Sequence, residues 1–100
     1  MAKINYKFIG WCHEDNHDKV WVAIQTAGDA VGGKFITCWG RRGRKLQTKM
    51  VECSIWDLLS LIDKKIDKGY KHVGQLELNK VYPEFEQDLS KVAVWGILKS

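Results

Sequence analysis

Long apolar runs are missing from this sequence, since no stretch approaches the roughly 18 apolar residues that a membrane-spanning helix needs. The N-terminus, MAKINYKF, also lacks the apolar segment of a secretory signal, so we expect a cytoplasmic protein without a membrane partner. Proline is scarce, with one residue in 100, while hydrophobic residues make up 45%. This composition excludes a disordered chain, and the length predicts one domain over residues 1–100.

Paired cysteines are also missing. Cys12, Cys38 and Cys53 are odd in number, lie far apart and show no Cys-x-x-Cys spacing, which excludes a regular disulfide framework and a thiolate zinc site. His13 and His17 are close to Cys12 in sequence, but polar loop histidines beside an ordinary thiol explain them better than a metal does. We therefore expect neither a metal nor a cofactor.

The motifs of common enzymes are absent as well. The chain has no Gly-x-x-x-x-Gly-Lys-Ser/Thr phosphate loop and no paired-carboxylate signature. No Ser-His-Asp or Cys-His set can be assembled from the sequence. We therefore predict that the protein is not an enzyme.

Acidic residues are absent from one whole segment. There is no acid between Asp29 and Glu52, whereas the remaining residues carry ten bases and twelve acids, so the net charge of +4 arises entirely within this segment. A solvated face usually mixes both signs, so a segment with one sign indicates an anionic partner. The six basic residues are Lys34, Arg41, Arg42, Arg44, Lys45 and Lys49.

The first half of the chain has the hydrophobic patterns of strands. Four segments show alternation or short runs of β-branched and aromatic residues. They are residues 4–8, 20–24, 34–39 and 45–51. Polar residues predict a loop over 13–19, three glycines predict a turn region over 26–33, and the sequence GRRGR predicts a hairpin between the third and fourth strands.

Helical spacing begins after the fourth strand. Ser54 is a suitable N-cap with Asp57 three residues later, and Gly69 suits the C-terminal end, so we predict a helix over residues 54–68. Its buried face is predicted to contain four residues, with Leu58 beside them. The four are Ile55, Leu59, Ile62 and Ile66.

The C-terminal part is predicted to add a second helix. Residues 70–73 suit a short strand, and Pro83-Glu-Phe-Glu has the proline and acids of a first helical turn. Phe85, Leu89 and Val92 would form its apolar face. Strands segregated from helices predict an α+β fold, with an antiparallel sheet of about four or five strands, one helix on a face and an extra C-terminal helix.

Strand geometry places a candidate site at Trp39. Because side chains alternate, the set Ile36, Cys38, Leu46 and Met50 is predicted to pack against the helix, which leaves Trp39 on the opposite face with Lys45 and Lys49. Cations hold phosphates and an indole stacks on a base or sugar, so this face suits a nucleic acid. Gly40 and Gly43 are expected to let backbone N–H groups approach an anion.

The tryptophans also admit a structural interpretation. Trp39 would then be a core residue or a hairpin clasp, and the arginine-rich turn would only increase solubility. The other tryptophans sit in apolar runs and are assigned mainly to the core. They are Trp11, Trp21, Trp56 and Trp95.

The order of these motifs resembles the WGR domain. Trp39-Gly40-Arg41 follows a strand that contains Phe35, and Gly43 and a basic strand come next. The helix ends in Lys68-Gly69-Tyr70-Lys71, and Asp15-Asn16-His17-Asp18-Lys19-Val20-Trp21 resembles that family's approach to its second strand.

The resemblance covers residues 4–74, so that 75–100 form a C-terminal extension. It implies a twisted antiparallel sheet crossed by a helix, and binding of nucleic acid, most simply DNA, with a preference for ends or breaks. The family's motif arginine also relays binding to a catalytic region that is not recognisable here, so this role is not carried over to Arg41. The nucleic-acid-binding residues are expected to be Trp39, Gly40, Arg41, Arg42, Gly43, Arg44, Lys45 and Lys49.

A second function class fits the same charges. The basic turn would then dock an acidic protein, and the chain would be a non-enzymatic adaptor or subunit. DNA affinity should fall steeply with salt in the first case, whereas an adaptor should bind DNA little even at low salt.

Overall fold

The fold is α+β, as predicted. The computed structural model describes residues 5–14, 17–41 and 43–91. The elements are β1 (Asn5–Glu14), β2 (His17–Gly28), β3 (Gly32–Arg41), β4 (Gln47–Ser54), α1 (Ile55–Asp67), β5 (Lys71–His72), α2 (Gln75–Val81) and α3 (Phe85–Leu89). The five strands form one antiparallel sheet in the order β4-β3-β2-β1-β5. None of the helices in these ranges has the length and apolarity to cross a bilayer.

The strands are longer than the hydrophobic pattern predicted. The stretch 13–19 is not simply a loop, because His13 pairs with Asp18 at the end of the β1–β2 hairpin, while residues 15–16 lie outside the described ranges. The turn predicted over 26–33 shortens to 29–31, where the Asp29 carboxylate accepts the Val31 N–H at 2.9 Å. Backbone ladders need no apolar side chains, so polar and glycine-rich ends can extend a sheet.

Helix α1 has the predicted caps. The Ser54 hydroxyl accepts the Asp57 N–H at 3.2 Å. At the other end Gly69 has φ +105°. The Gly69 N–H donates to Ile66 O at 3.0 Å and the Tyr70 N–H to Lys65 O at 3.2 Å. These two bonds satisfy carbonyls of the last turn and direct the chain back to the sheet.

The buried face of α1 differs from the prediction. Leu58 and Ile62 are buried and Ile55 is partly buried, whereas Leu59 and Ile66 are 49% and 46% exposed. Leu58 and Ile62 are four residues apart and therefore share a face, whereas Leu59 is turned away by about 100°. Trp56 was predicted to be in the core, but it lies on the exposed side as well.

Both faces of the sheet are covered, and α1 lies on the face opposite to the predicted one. Ile36, Cys38 and Leu46 belong to the buried cluster beneath the C-terminal extension, and Met50 on the edge strand is 51% exposed. Helix α1 covers the opposite face, where it packs over a second buried cluster. This cluster includes Phe8, Trp21, Ala23, Phe35 and Tyr70. Trp21 is therefore a core residue, as predicted.

The C-terminal extension forms the third layer through residue 91. Helix α3 begins beside Pro83 and buries Phe85 and Leu89 as predicted, whereas Val92 and Trp95 lie outside the described residues. Helix α2 was not predicted, because it is short, has no side-chain N-cap bond and buries Leu78 alone. The extension covers the face that the sequence had assigned to α1.

Candidate nucleic-acid interface

Trp39 lies at the end of β3, on the sheet face that α1 covers. It pairs with Trp21 on β2 and with Gln47 on β4. Its ring packs against the cluster beneath α1 but remains partly exposed. Its burial is therefore intermediate between the core residue and the exposed platform that the sequence left open.

A groove opens beside Trp39, and we call it the cationic groove. Its volume is about 360 Å³. Lys19 on β2 pairs with Arg41 on β3, and the last turn of α1 with its cap brings in Lys65 and Lys68. The described residues that line it are Lys19, Trp39, Gly40, Arg41, Lys65, Lys68 and Tyr70. These seven residues include four cations and two large aromatic rings, and no carboxylate.

The electrostatics of the groove favour an anion. Burial lowers the pKa of Lys65, and the charges of Lys68 and Lys19 lower it further. The Lys65 ammonium lies 5.8 Å from the centre of the Trp21 ring, and that of Lys19 lies 5.7 Å from the Tyr70 ring. Ring faces and the C-terminal end of a helix stabilise cations, so the fold can hold these charges close together. A bound anion would remove the remaining repulsion.

A second groove, which we call the tyrosine groove, lies on the other side of the β3–β4 turn. Its volume is about 300 Å³, and it is lined by Gly43, Arg44, Lys45, Asp88 and Lys91. Asp88 is bonded to the Tyr82 hydroxyl and lies 3.7 Å from the Lys91 ammonium. A carboxylate therefore already accompanies the cations on this side.

Tyr82 connects the extension to the basic turn. Its side chain is fully buried. Burial and the hydrogen bond to Asp88 raise the pKa of Tyr82 to about 12, against a smaller opposing effect of a backbone hydrogen bond from Gly43. These contacts fix the turn from the side opposite Trp39.

The structure divides the predicted site residues instead of joining them. Trp39, Gly40 and Arg41 line the cationic groove, whereas Gly43, Arg44 and Lys45 line the tyrosine groove. Lys45 was predicted to share the face of Trp39, and this prediction is wrong because the chain leaves strand geometry before β4 begins.

Two further predicted residues lie in neither group. Lys49 is exposed on β4 opposite Thr37, and so on the sheet face of Trp39 as predicted, but it does not line the groove. Arg42 is outside the described residues.

In the structure, Gly40 and Gly43 serve packing and turn geometry, whereas the prediction was that they let backbone N–H groups approach an anion. A Cβ at Gly40 would lie 3.3 Å from both Lys45 O and the Leu46 side chain, so Gly40 allows the returning chain to pack closely. Gly43 has φ +82° and lies in a turn that the Arg44 N–H closes on Arg41 O at 2.9 Å. Turn geometry and packing therefore account for both residues.

Sequence reasoning missed four residues of the cationic groove. Lys19, Lys65, Lys68 and Tyr70 lie far from Trp39 in sequence, and Asp18, Asp63 or Asp67 stands next to or near each lysine. Local charge counts therefore cancel there. The available signal was the Lys-Gly-Tyr-Lys end of the helix, which places a cation and an aromatic ring on either side of a C-terminal glycine.

Metal ligation has no candidate cluster in the described ranges, where no group of three or more His, Cys, Asp or Glu side chains could hold an ion. Comparisons of the chain with known protein families, with curated proteins and with solved structures found no match. The resemblance to the WGR domain therefore stays a prediction.

Proposed function

We propose that the protein binds nucleic acid, DNA in the first place, at ends or breaks, and that the cationic groove is the binding site. The observation that supports this most is the convergence of four cations and two aromatic rings in one groove, with no carboxylate among the described residues that line it. Three elements distant in sequence supply these residues, so the arrangement is a product of the fold.

Phosphate binding is assigned to the cations. Lys65 and Lys68 follow one face of the end of α1, and Lys19 and Arg41 are paired across two strands. A phosphate group among them would be contacted from two sides, and each neutralised phosphate contact releases counterions. The lowered pKa of Lys65 is consistent with a site that is completed by negative charge.

The preference for ends follows from the position of Trp39. Its ring is partly covered by the cluster beneath α1 and presents its remaining surface at the end of a strand. Internal base pairs are stacked on both faces, whereas a terminal nucleotide has one free face and an accessible sugar. A single ring at the rim of a cationic groove therefore suits a terminus or a nick, and one stack contributes about 1–3 kcal/mol.

The alternative is a non-enzymatic adaptor that docks an acidic protein in the same groove. One observation favours it, because Trp56, Leu59 and Ile66 leave apolar surface exposed on α1, and exposed apolar surface is typical of protein contacts.

A direct titration separates the two functions. The protein is titrated with blunt duplex, nicked duplex, closed circular duplex, single-stranded DNA and duplex RNA at several salt concentrations. We expect the nicked and blunt duplexes to bind more tightly per site than a closed circular duplex of the same sequence. Absence of DNA binding at low salt would contradict the proposal and favour the adaptor.

A further inference from the structure

A third cleft lies at the β1–β5 edge and plays no part in the proposed function. We call it the edge cleft, and its volume is about 310 Å³. This size is at the lower end of the range of small-molecule sites, which begins at about 300 Å³. Its chemically active lining residues are Trp11, His13, Lys71, His72 and Glu77. Two further described residues, Gly69 and Val73, also line it.

The cleft contains a ready-made stacking platform. The rings of Trp11 and His13 are stacked, with centroids 4.9 Å apart and planes inclined by 13°. The Trp11 indole N–H donates to an Asp18 carboxylate oxygen at 3.0 Å, and the ring packs against the core beneath the extension. Trp11 is thereby fixed in place, and the exposed imidazole of His13 forms the outer layer of the stack.

Groups of both charges surround this platform. Lys71 pairs with Trp11 across β1 and β5, and Glu77 reaches the cleft from the first turn of α2. A simple anion would meet the Glu77 carboxylate, and the described residues contain no cluster suited to a metal. A flat ligand with an amino group and a phosphate would satisfy the ring, the carboxylate and the ammonium together.

We propose that the edge cleft binds one unpaired nucleotide, with the base stacked on His13, an exocyclic amino group donating to Glu77 and a phosphate near Lys71. Cytosine is favoured over uracil, because a carboxylate accepts from the cytosine amino group and repels the uracil carbonyl oxygen. The source of the nucleotide as an overhang of bound DNA rests on the proposed function.

The α1–β5 connection links this cleft to the cationic groove. Lys68 and Tyr70 line the cationic groove, while Gly69 and Lys71 line the edge cleft. Alternate residues of one short segment therefore face two sites. If the paired part of a duplex ends at Trp39, an overhanging strand would cross this segment, and its first unpaired nucleotide would enter the edge cleft.

Mononucleotides test the edge cleft without reference to DNA ends. Cytidine and uridine 5′-monophosphates are titrated into the whole protein while NMR signals of the Trp11 indole N–H and the His13 ring are followed. We expect both NMR signals to shift. Cytidine monophosphate should bind about tenfold more tightly than uridine monophosphate, and Glu77→Gln should reduce this preference. His13→Ala should weaken binding by tenfold or more, whereas exposed Lys64→Ala, which lines neither site, should leave it unchanged.

An overhang series tests the link between the sites. Duplexes with a blunt end or a two-nucleotide cytosine overhang are compared, and we expect the overhang to raise affinity about tenfold in the wild type and not in His13→Ala. Mononucleotides that leave Trp11 and His13 unshifted would overturn the edge cleft, even if DNA ends still bind at Trp39. Shifts at His13 without any DNA binding would support the cleft and overturn the proposed function. An overhang gain that His13→Ala retains would overturn the link between the two sites.

Discussion

The two sides of the β3–β4 turn differ in whether a carboxylate accompanies their positive charges. Among the described residues, the cationic groove is lined by four cations and no carboxylate, whereas the tyrosine groove is lined by Arg44, Lys45 and Lys91 together with Asp88. The sequence is most basic around residues 41–45, yet part of that charge faces an acid brought by the extension. Charge density along the chain therefore indicates a charged turn, and the fold decides which charges lie on each side of it.

The largest expected effect is a loss of stability when Tyr82, on the tyrosine side of the turn, is replaced. Tyr82 is fully buried between the extension and the turn, so Tyr82→Ala should lower the free energy of unfolding by about 3–5 kcal/mol. Tyr82→Phe keeps the ring and removes the hydroxyl bonds, and should cost about 1–3 kcal/mol. Chemical denaturation measures both. A cost below about 1 kcal/mol for Tyr82→Ala would show that the tyrosine side is not a structural anchor.

Alkaline pH should weaken the same side. Burial raises the pKa of the Cys38 thiol to about 12, and burial and Asp88 raise that of Tyr82 to about 12. Both groups are neutral in the fold and ionise earlier in the unfolded chain, at their ordinary values of 9.0 and 10.0. Their contribution is thus complete below about pH 9 and is lost as the pH rises through about 12.

Denaturation from pH 7 to 12 should show this loss, and Cys38→Ala and Tyr82→Phe should each make the alkaline decline shallower. Lys65 acts in the opposite direction, because its lowered pKa makes its charged form unfavourable in the fold. Its deprotonation at high pH should therefore add stability. A free energy of unfolding that rises between pH 9 and 12 would mean that Lys65 outweighs the two buried groups.

Trp39 should affect binding more than folding. The ring is partly buried, so Trp39→Ala should cost about 1–2 kcal/mol of stability and about 1–3 kcal/mol of affinity for a duplex end. Exposed Trp56→Ala serves as the matched control and should leave that affinity unchanged. A well-folded Trp39→Ala protein with undiminished affinity would remove the indole from the site.

The smallest expected effect concerns Asp88. Asp88→Asn removes the charge but keeps an oxygen that can accept the Tyr82 hydroxyl, so folding should be little changed. Because Asp88 lies on the side of the turn away from Trp39, loss of its charge should raise DNA affinity by less than about twofold at low salt. Asp63→Asn, on an exposed position of α1, should give an equal or larger gain. A clearly larger gain for Asp88→Asn would indicate that the nucleic acid binds on the tyrosine side.

Much of the fold was predictable because local signals were strong. Ser54 and Gly69 delimit α1 as predicted, since capping depends on neighbouring residues. Which helix covers which face of the sheet was not predictable. A run such as residues 20–24 is apolar on both sides, so its pattern does not indicate which layer packs on each face. On α1, Ile62 is buried and Ile55 partly buried as predicted, whereas Leu58 takes the buried position that was assigned to Leu59, about 100° away on the helix, and Ile66 is exposed.

The candidate site was predictable only in part for the same reason. Trp39, Gly40 and Arg41 were found from their motif, but Lys19, Lys65 and Lys68 join them through strand pairing and helix placement. The extension places its residue Asp88 beside Arg44 and Lys45, and no local sequence pattern predicts this position. Residues that are adjacent in sequence thus separate, and distant ones converge.

The central claim is that nucleic acid binds on the Trp39 side of the turn. Its most direct test compares two double variants that lose the same charge, with one nicked duplex as the ligand. The first combines Lys65→Ala and Lys68→Ala, and the second combines Arg44→Ala and Lys45→Ala. If about four cations contact phosphates, the wild-type slope of log affinity against log salt is about −3 to −4. We expect the first double variant to flatten this slope by about two units and the second to leave it nearly unchanged. The reverse result, a slope flattened only by loss of Arg44 and Lys45, would place the nucleic acid in the tyrosine groove and contradict the account.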